Sequence, residues 1–307
     1  MILLWGIAQE YPLAAVREAL LRLGAKVAFL DQRAVLETEI TLSFAETIGG
    51  KLRVGADELA LEDVRAVYLR PNEWRSLPAV KQAGEGSPKW NHALGVEDAM
   101  VSWADTTSAL VVNRPHLMAA NASKPFQAMQ ISAHGFSIPD TLLTTDSEAA
   151  LEFWARHGQI IYKSISGARS IVARLTEEHR ERLADLSWCP TQFQEYVPGR
   201  DYRVHVVGDE IFPCEIISVA DDYRYAATKG IDTQMRACRL PDDCAARCIS
   251  LTSALQLSFA GIDLRLRPDG RWYCFEVNTT PGFTYFQEVT GQRIDESVAR
   301  LLISADA

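Results

Sequence analysis

Asp263, Glu276 and Asn278 have the types and spacing to hold a hard divalent cation. They lie in GIDLRLRPDGRWYCFEVNTTPG, Gly261 to Gly282, where Pro268-Asp269-Gly270 is a turn signal between two alternating runs. The pattern predicts a β-hairpin with a two-residue loop. In that register Ile262, Leu264 and Leu266 oppose Val277, Phe275 and Tyr273 as one buried face. On the other face Asp263 opposes Glu276, and Asn278 follows two residues on. Opposed carboxylates repel unless positive charge lies between them. An ion taking oxygen ligands from two carboxylates and an amide resolves the conflict, and Mg²⁺ suits that set. The same residues also read as a solvated acidic patch, or as a pair neutralised by Arg265 or Arg271.

Cations suited to phosphate occur upstream. In NASKP, Ser123 can cap a helix and Pro125 fits its first turn. Lys124 then sits at a helix N-terminus, where a cation is electrostatically misplaced and calls for an anion; a solvated lysine is the other reading. Lys163 enters a loop of small residues, 164–170, that includes Arg169; such a loop can fold over phosphates, although it lacks the Walker A pattern. Asp201, Arg203 and His205 project from one face of an alternating run. Asp201 with Arg203 reads either as an ion pair or, beside a nucleotide, as a carboxylate for ribose hydroxyls and a guanidinium for a transferring phosphate or substrate carboxylate. Arg224, in DDYRYA, can do similar work. Arg70, closing a short strand, can reach a substrate anion or make a surface ion pair. No GxSxG or HExxH motif is present, and the scattered histidines read as structural.

The elements that must position these residues follow from periodicity. Ile2 to Ala8 is a continuous apolar run, as in a strand covered on both faces. A helix from Leu13 to Leu23, ended by Gly24, and a strand from Lys26 to Leu30 complete a βαβ unit that lacks a GxGxxG fingerprint. Thr38 to Val54 predicts a hairpin around Gly49-Gly50, and Arg65 to Arg70 another strand. Lys81 to Lys89 predicts a loop, Asn91 to Leu110 a helix, and Val111-Val112 a strand that closes a first domain near Asn113. Beyond it come helices from Lys124 to Gly135 and Ser147 to His157, and strands from Gln159 to Lys163 and Thr191 to Val197. A hairpin follows from Asp201 to Ser218, turning at Gly208-Asp209. A helix from Asp242 to Leu257, capped by Asp242, leads to the Gly261–Gly282 hairpin, and a last helix begins near Ile294.

Composition narrows the class. At 307 residues, 48% hydrophobic and 23% charged, the chain has the makeup of an ordinary soluble globular protein, long enough for two or three subdomains and a sizeable core. A net charge of −9 argues against nucleic acid or an anionic membrane as partner. The six cysteines show no CxxC pair or zinc spacing; Cys244 and Cys248, one helical turn apart, read as packing residues. That usage suits the cytoplasm. The apolar start MILLWGIAQEYP is too short to span a membrane and lacks a basic flank, so it reads as a buried strand.

Four blocks occur in one order: SKP at Ser123–Pro125, IIYKSISG from Ile160, QEYVPGRDYRV at Gln194–Val204, and GID with FEVN ahead of Pro281-Gly282. In that order they resemble the ATP-grasp superfamily, of the glutathione-synthetase and ribosomal-protein-glutamate-ligase type. FQEYV at Phe193–Val197, EIIS at Glu215–Ser218 and YFQEVTGQRI at Tyr285–Ile294 are most similar to the graspetide (microviridin-type) ligases that modify ribosomally made peptides. The chain departs from that group in NTTPGF after Glu276 and in the single Arg of LRPNEW. The resemblance implies an α/β (α+β) ATP-grasp fold preceded by a βαβ-containing pre-ATP-grasp domain, divided as 1–112, 113–190 and 191–307. It implies that Lys124 and Lys163 grip ATP phosphates, that Gln194, Glu195, Tyr196 and Val197 form the adenine hinge, and that Asp201 binds ribose. Asp263, Glu276 and Asn278 would hold Mg²⁺, Arg203 and Arg224 would serve the chemistry, and Arg70 the substrate. The implied activity is ATP- and Mg²⁺-dependent ligation of a carboxylate to an amine or hydroxyl through an acyl phosphate, on a precursor peptide, by a homo-oligomer. A ligase of free amino acids or small metabolites, and a nucleotide-binding regulator without turnover, are the alternatives.

Overall fold

The computed structural model describes residues 1–44, 46, 48–121, 123–164, 172–218 and 232–306. The apolar run at the start forms β1 (Ile2–Gly6), followed by α1 (Tyr11–Arg22) and β2 (Val27–Asp31). Glu10 caps α1 by accepting from the Leu13 N–H, and Gly24, with φ +76°, follows its end. An antiparallel sheet of β3 (Thr38–Phe44), β4 (Ile48–Val54) and β5 (Asp57–Ala60) intervenes before β6 (Ala66–Arg70). Helices α2 (Pro78–Ala83) and α3 (Pro88–Thr106) then lead to β7 (Leu110–Val112). β1, β2, β6 and β7 form one parallel sheet in the order β2-β1-β6-β7. Alternation explains why all of β1 is buried: Leu3 and Trp5 join a core with Met100 and Trp103 of α3, while Ile2 and Leu4 join one with Leu13 and Val16 of α1.

The chain continues through α4 (Pro115–Asn121), α5 (Lys124–Ala133), β8 (Thr141–Thr144), α6 (Ser147–His157), β9 (Ile160–Ser164), β10 (Ala173–Arg174) and β11 (Thr191–Glu195). Their strands form an antiparallel sheet ordered β10-β9-β11-β8, with Phe193 and Ile160 packed on Ala150 and Phe153 of α6. Next come β12 (Arg200–Val207), β13 (Glu210–Ser218), β14 (Thr233–Ala237), α7 (Asp242–Ala254), β15 (Phe259–Leu266), β16 (Trp272–Asn278), α8 (Thr284–Thr290) and α9 (Ile294–Ser304). These strands build a five-stranded antiparallel sheet, β14-β13-β12-β15-β16. Cys244, Cys248 and Leu251 of α7 are buried against one face of it. Helix α9 returns to the N-terminal sheet, where Val298 and Leu302 share a core with Ile2 and Leu20. The architecture is mixed α/β, as the alternation of strand and helix patterns predicts. Among the described residues no helix is long and apolar enough to cross a membrane.

Several local expectations are corrected. Gly49 and Gly50 lie inside β4, opposite Ser43 and Leu42, and the chain reverses between Phe44 and Ile48. Gly50 has φ +145°, and an added Cβ there would press on the Thr41 carbonyl and stand 3.0 Å from the Leu42 Cα, so its strand conformation and close approach, rather than a turn, require glycine. The Lys81–Lys89 segment is mostly helical, because Pro78 and Pro88 each open a helix and leave only Gly84–Ser87 between them. Pro241, not Asp242, holds the N-cap position of α7. The β15–β16 hairpin has a longer loop than two residues: Gly270, with φ +86°, donates to the Arg267 carbonyl, and the Arg267 N–H donates to Arg271.

Candidate active site

The hairpin register is the expected one where chemistry is concerned and shifted where it is not. Ile262 opposes Val277 and Asp263 opposes Glu276, but an irregularity after Asp263 pairs Leu264 with Cys274 and Arg265 with Tyr273. A β-bulge re-aims side chains in this way. Cys274 takes the core position, and Phe275 leaves it to line the clefts beside Lys163 and Glu276.

Neither Arg265 nor Arg271 neutralises the carboxylate pair. Arg265 is spent on Asp201 through two bonds of 2.6 and 2.9 Å and on the Val197 carbonyl at 2.8 Å, and Arg271 bonds Asp269. The cation at Asp263 is Arg203, directly opposite it across β12 and β15, with Nη1 donating to Oδ1 at 2.6 Å. Asn278 Nδ2 reaches Asp263 Oδ2 and the Gly261 carbonyl, each at 3.3 Å. These are long bonds; turning the amide would present its oxygen beside the carboxylates, a set that suits a hard cation. The donor chemistry of Asp263, Glu276 and Asn278 therefore fits Mg²⁺.

Gly261 makes the Arg203 position possible. A Cβ there would stand 2.7 Å from the guanidinium carbon and 2.8 Å from Pro281 Cβ, so Arg203 lies directly over the glycine. His205, two residues on and fully buried, meets the Gly282 carbonyl at 3.3 Å and packs edge-on against Phe286. Burial, and then the Arg203 charge, hold its pKa well below 6.5.

Lys163, Gln194, Glu195, Tyr196, Val197, Asp201, Asp263 and Glu276 line one cleft of about 100 Å³. Lys124 joins Lys163, Gln194 and Glu276 around an adjoining cavity of about 360 Å³. Lys124 opens α5 with Ser123 at the N-cap position, although Ser123 makes no side-chain cap bond. Gln127 ties α5 to the site: its Nε2 donates to the Val277 carbonyl at 2.7 Å and its Oε1 accepts from the Val277 N–H at 2.9 Å. The amide thus completes the edge strand β16 as a backbone partner would. Arg70 lies apart from the cleft, held by Glu10 at 2.8 Å, and reaches the loop after Asn278 through the Pro281 carbonyl at 3.2 Å. Arg224 and the 165–170 loop fall outside the described residues.

Residues 122–302 match the RimK-like ATP-grasp domain family, well over half of the 307 residues. The chain belongs to that family. The ATP-grasp ligase is 24% identical over 301 residues to beta-citrylglutamate synthase B of Homo sapiens, covering 92% of this chain and 71% of that protein. Its fold superposes on the macrocyclase MdnC bound with precursor peptide MdnA from Microcystis aeruginosa MRC with a TM-score of 0.84, at 21% identity and 99% coverage of both chains. The ligase PsnB, complexed with minimal precursor, Mg and ADP, superposes with a TM-score of 0.77 at 25% identity over 99% of this chain and 98% of that one.

Sequence reasoning did not single out Gly261, Gln127 or the Arg265–Asp201 pair. For Gly261 a signal existed in a glycine inside a strand, which marks close approach. For Gln127 none did.

Proposed function

We propose that the ligase uses ATP and Mg²⁺ to activate a carboxylate of a peptide, forming an acyl phosphate that an amine or hydroxyl then captures. The observation that carries this is the opposition of Asp263 and Glu276 beside Arg203, in a cleft that Lys163 and the Gln194–Val197 strand end also line. When held by Asp263, Glu276 and Asn278, Mg²⁺ would supply positive charge against the charge that develops on the phosphates. Lys124 and Lys163 orient phosphates, and the hinge backbone meets adenine. Asp201, held by Arg265 through both of its oxygens, presents its fixed carboxylate to ribose hydroxyls. Arg203 is released from Asp263 toward the transferring phosphoryl group, and Arg224 supplies a second guanidinium. Arg70 positions the Pro281-Gly282 loop and the substrate beside it. Catalysis on this reading is positioning and charge neutralisation, without a covalent nucleophile.

A peptide substrate is supported by the full-length likeness to MdnC and PsnB, whose structures hold precursor peptides. Free thiols at all six cysteines suit the cytoplasm, and a homo-oligomer belongs to the same reading. A small-molecule substrate is the second reading, favoured by the likeness to beta-citrylglutamate synthase B. Incubation with ATP, Mg²⁺ and hydroxylamine separates them. A peptide bearing Asp or Glu side chains is expected to give a hydroxamate with ADP and phosphate, whereas turnover confined to free amino acids or hydroxy acids would establish the second reading. AMP as the stoichiometric product would sink the acyl-phosphate mechanism.

A further inference from the structure

Behind the adenine hinge, Asp140, His157 and Glu195 bring three ligand atoms within 4.8 Å of one another. They come from the lead into β8, the last residue of α6 and the last residue of β11. His157 Nε2 lies 3.6 Å from Asp140 Oδ2, and Nδ1 lies 3.7 Å from Glu195 Oε2. Both distances exceed the range of an N–H···O bond. They approach the separation of about 3.4 Å between neighbouring ligands of a tetrahedral zinc ion. His157 Nε2 is sealed from solvent and has no hydrogen-bond partner among the described residues. The ring cannot swing away freely, since the Phe153 ring packs 4.4 Å from it. Asp140 is 69% exposed on its side chain and has room to close on an ion.

We infer that this trio is a binding site for a divalent transition metal of the zinc type, separate from the Asp263–Glu276 cluster. An imidazole with a carboxylate suits Zn²⁺ better than Mg²⁺, which prefers oxygen alone. His157 ligates through Nε2 together with Asp140, and water completes the shell. Glu195 lies on the Nδ1 side, where a carboxylate commonly orients a metal-bound imidazole. The last carbonyls of a helix also favour a cation at this point. The site is wired into the hinge: Glu195 N–H donates to the Asp140 carbonyl at 2.9 Å, and Tyr196 N–H donates to Gln159 at 3.0 Å. An ion here pins the strand end that leads into Tyr196 and Val197. The binding claim stands without the proposed reaction; only its effect on nucleotide affinity rests on that reading.

Calorimetric titration of the metal-stripped full chain with Zn²⁺, without ATP or Mg²⁺, tests this, with Co²⁺ and its visible absorption as a second probe. One equivalent is expected to bind. His157→Ala and Asp140→Ala should each weaken it at least ~10-fold, the scale on which metal sites respond to altered partners. Glu276→Gln should leave it unchanged. If His157→Ala does not fold, the exposed Asp140→Ala carries the test alone. Unaltered Zn²⁺ affinity in Asp140→Ala, loss of the site in Glu276→Gln, or no bound equivalent in the parent chain would each overturn the assignment.

Discussion

Adding one methyl group at Gly261 should impair turnover through Arg203. The new Cβ would stand 2.7 Å from the Arg203 guanidinium carbon and 2.8 Å from Pro281 Cβ, well inside van der Waals contact. Gly261 lies within β15 and is not among the glycines of positive φ, so backbone strain plays no part in Gly261→Ala. Arg203 is 7% exposed and has little space into which to retreat. Its displacement carries the guanidinium away from the place beside Asp263 from which it would reach the transferring phosphoryl group, forfeiting one charge-assisted bond of about 1.5–3 kcal/mol there. If that geometry is needed in the transition state, the rate falls by about ten- to hundredfold. Overpacking lowers stability as well, by about 1–3 kcal/mol. Nucleotide affinity should hold, because Lys124, Lys163 and the hinge are untouched. Steady-state rates of ADP release, with ATP affinity by calorimetry, measure both quantities. The decisive control is Arg203→Ala combined with Gly261→Ala. If the methyl acts through Arg203, its effect on rate largely disappears in the Arg203→Ala background. Full additivity, or parental turnover in Gly261→Ala alone, refutes the reasoning.

Glu276→Gln should leave thermal unfolding nearly unchanged while abolishing most Mg²⁺-dependent ADP formation; a parental rate with normal Mg²⁺ dependence would remove Glu276 from the metal set. Lys163→Ala should weaken ATP binding by about 1.5–3 kcal/mol, the size of one lost charge-assisted bond, read by calorimetry and by the loss of ATP-linked thermal stabilisation. Acid stability should depend on Glu215. Burial pushes its carboxyl up, but hydrogen bonds from Arg200, Arg236 and Tyr202 outweigh that and hold the pKa below 4.5. Its contribution is therefore complete above about pH 4.5 and is lost as pH falls through the depressed value. Denaturant midpoints from pH 7 to 3 should show a shallower acid decline in Glu215→Gln than in the parent, and identical declines would count against the assignment.

Several elements that carry the candidate site were legible in the sequence because their determinants are local or periodic. The apolar run at the start, the glycine that ends α1 and the span of α6 follow from patterns within one element. The hairpin itself follows from two alternating runs about a turn signal, but beside its loop the register would set Asp263 against Phe275, and the bulge after Asp263 restores the opposition to Glu276. The order of the motif blocks identified the ATP-grasp family, because each block carries its own chemistry. The tertiary structure decided which cation meets which carboxylate. Arg265 and Arg271 are nearer to Asp263 in the chain than Arg203, yet only the pairing of β12 with β15 places Arg203 opposite it. Phe275 could not be placed from alternation, because a bulge inserts a residue without altering the pattern that precedes it. Gln127 on Val277, α9 on the N-terminal sheet and His157 between Asp140 and Glu195 join residues from different elements. Their meeting depends on how faces pack against one another, a relation that hydrophobic period records only as inward or outward.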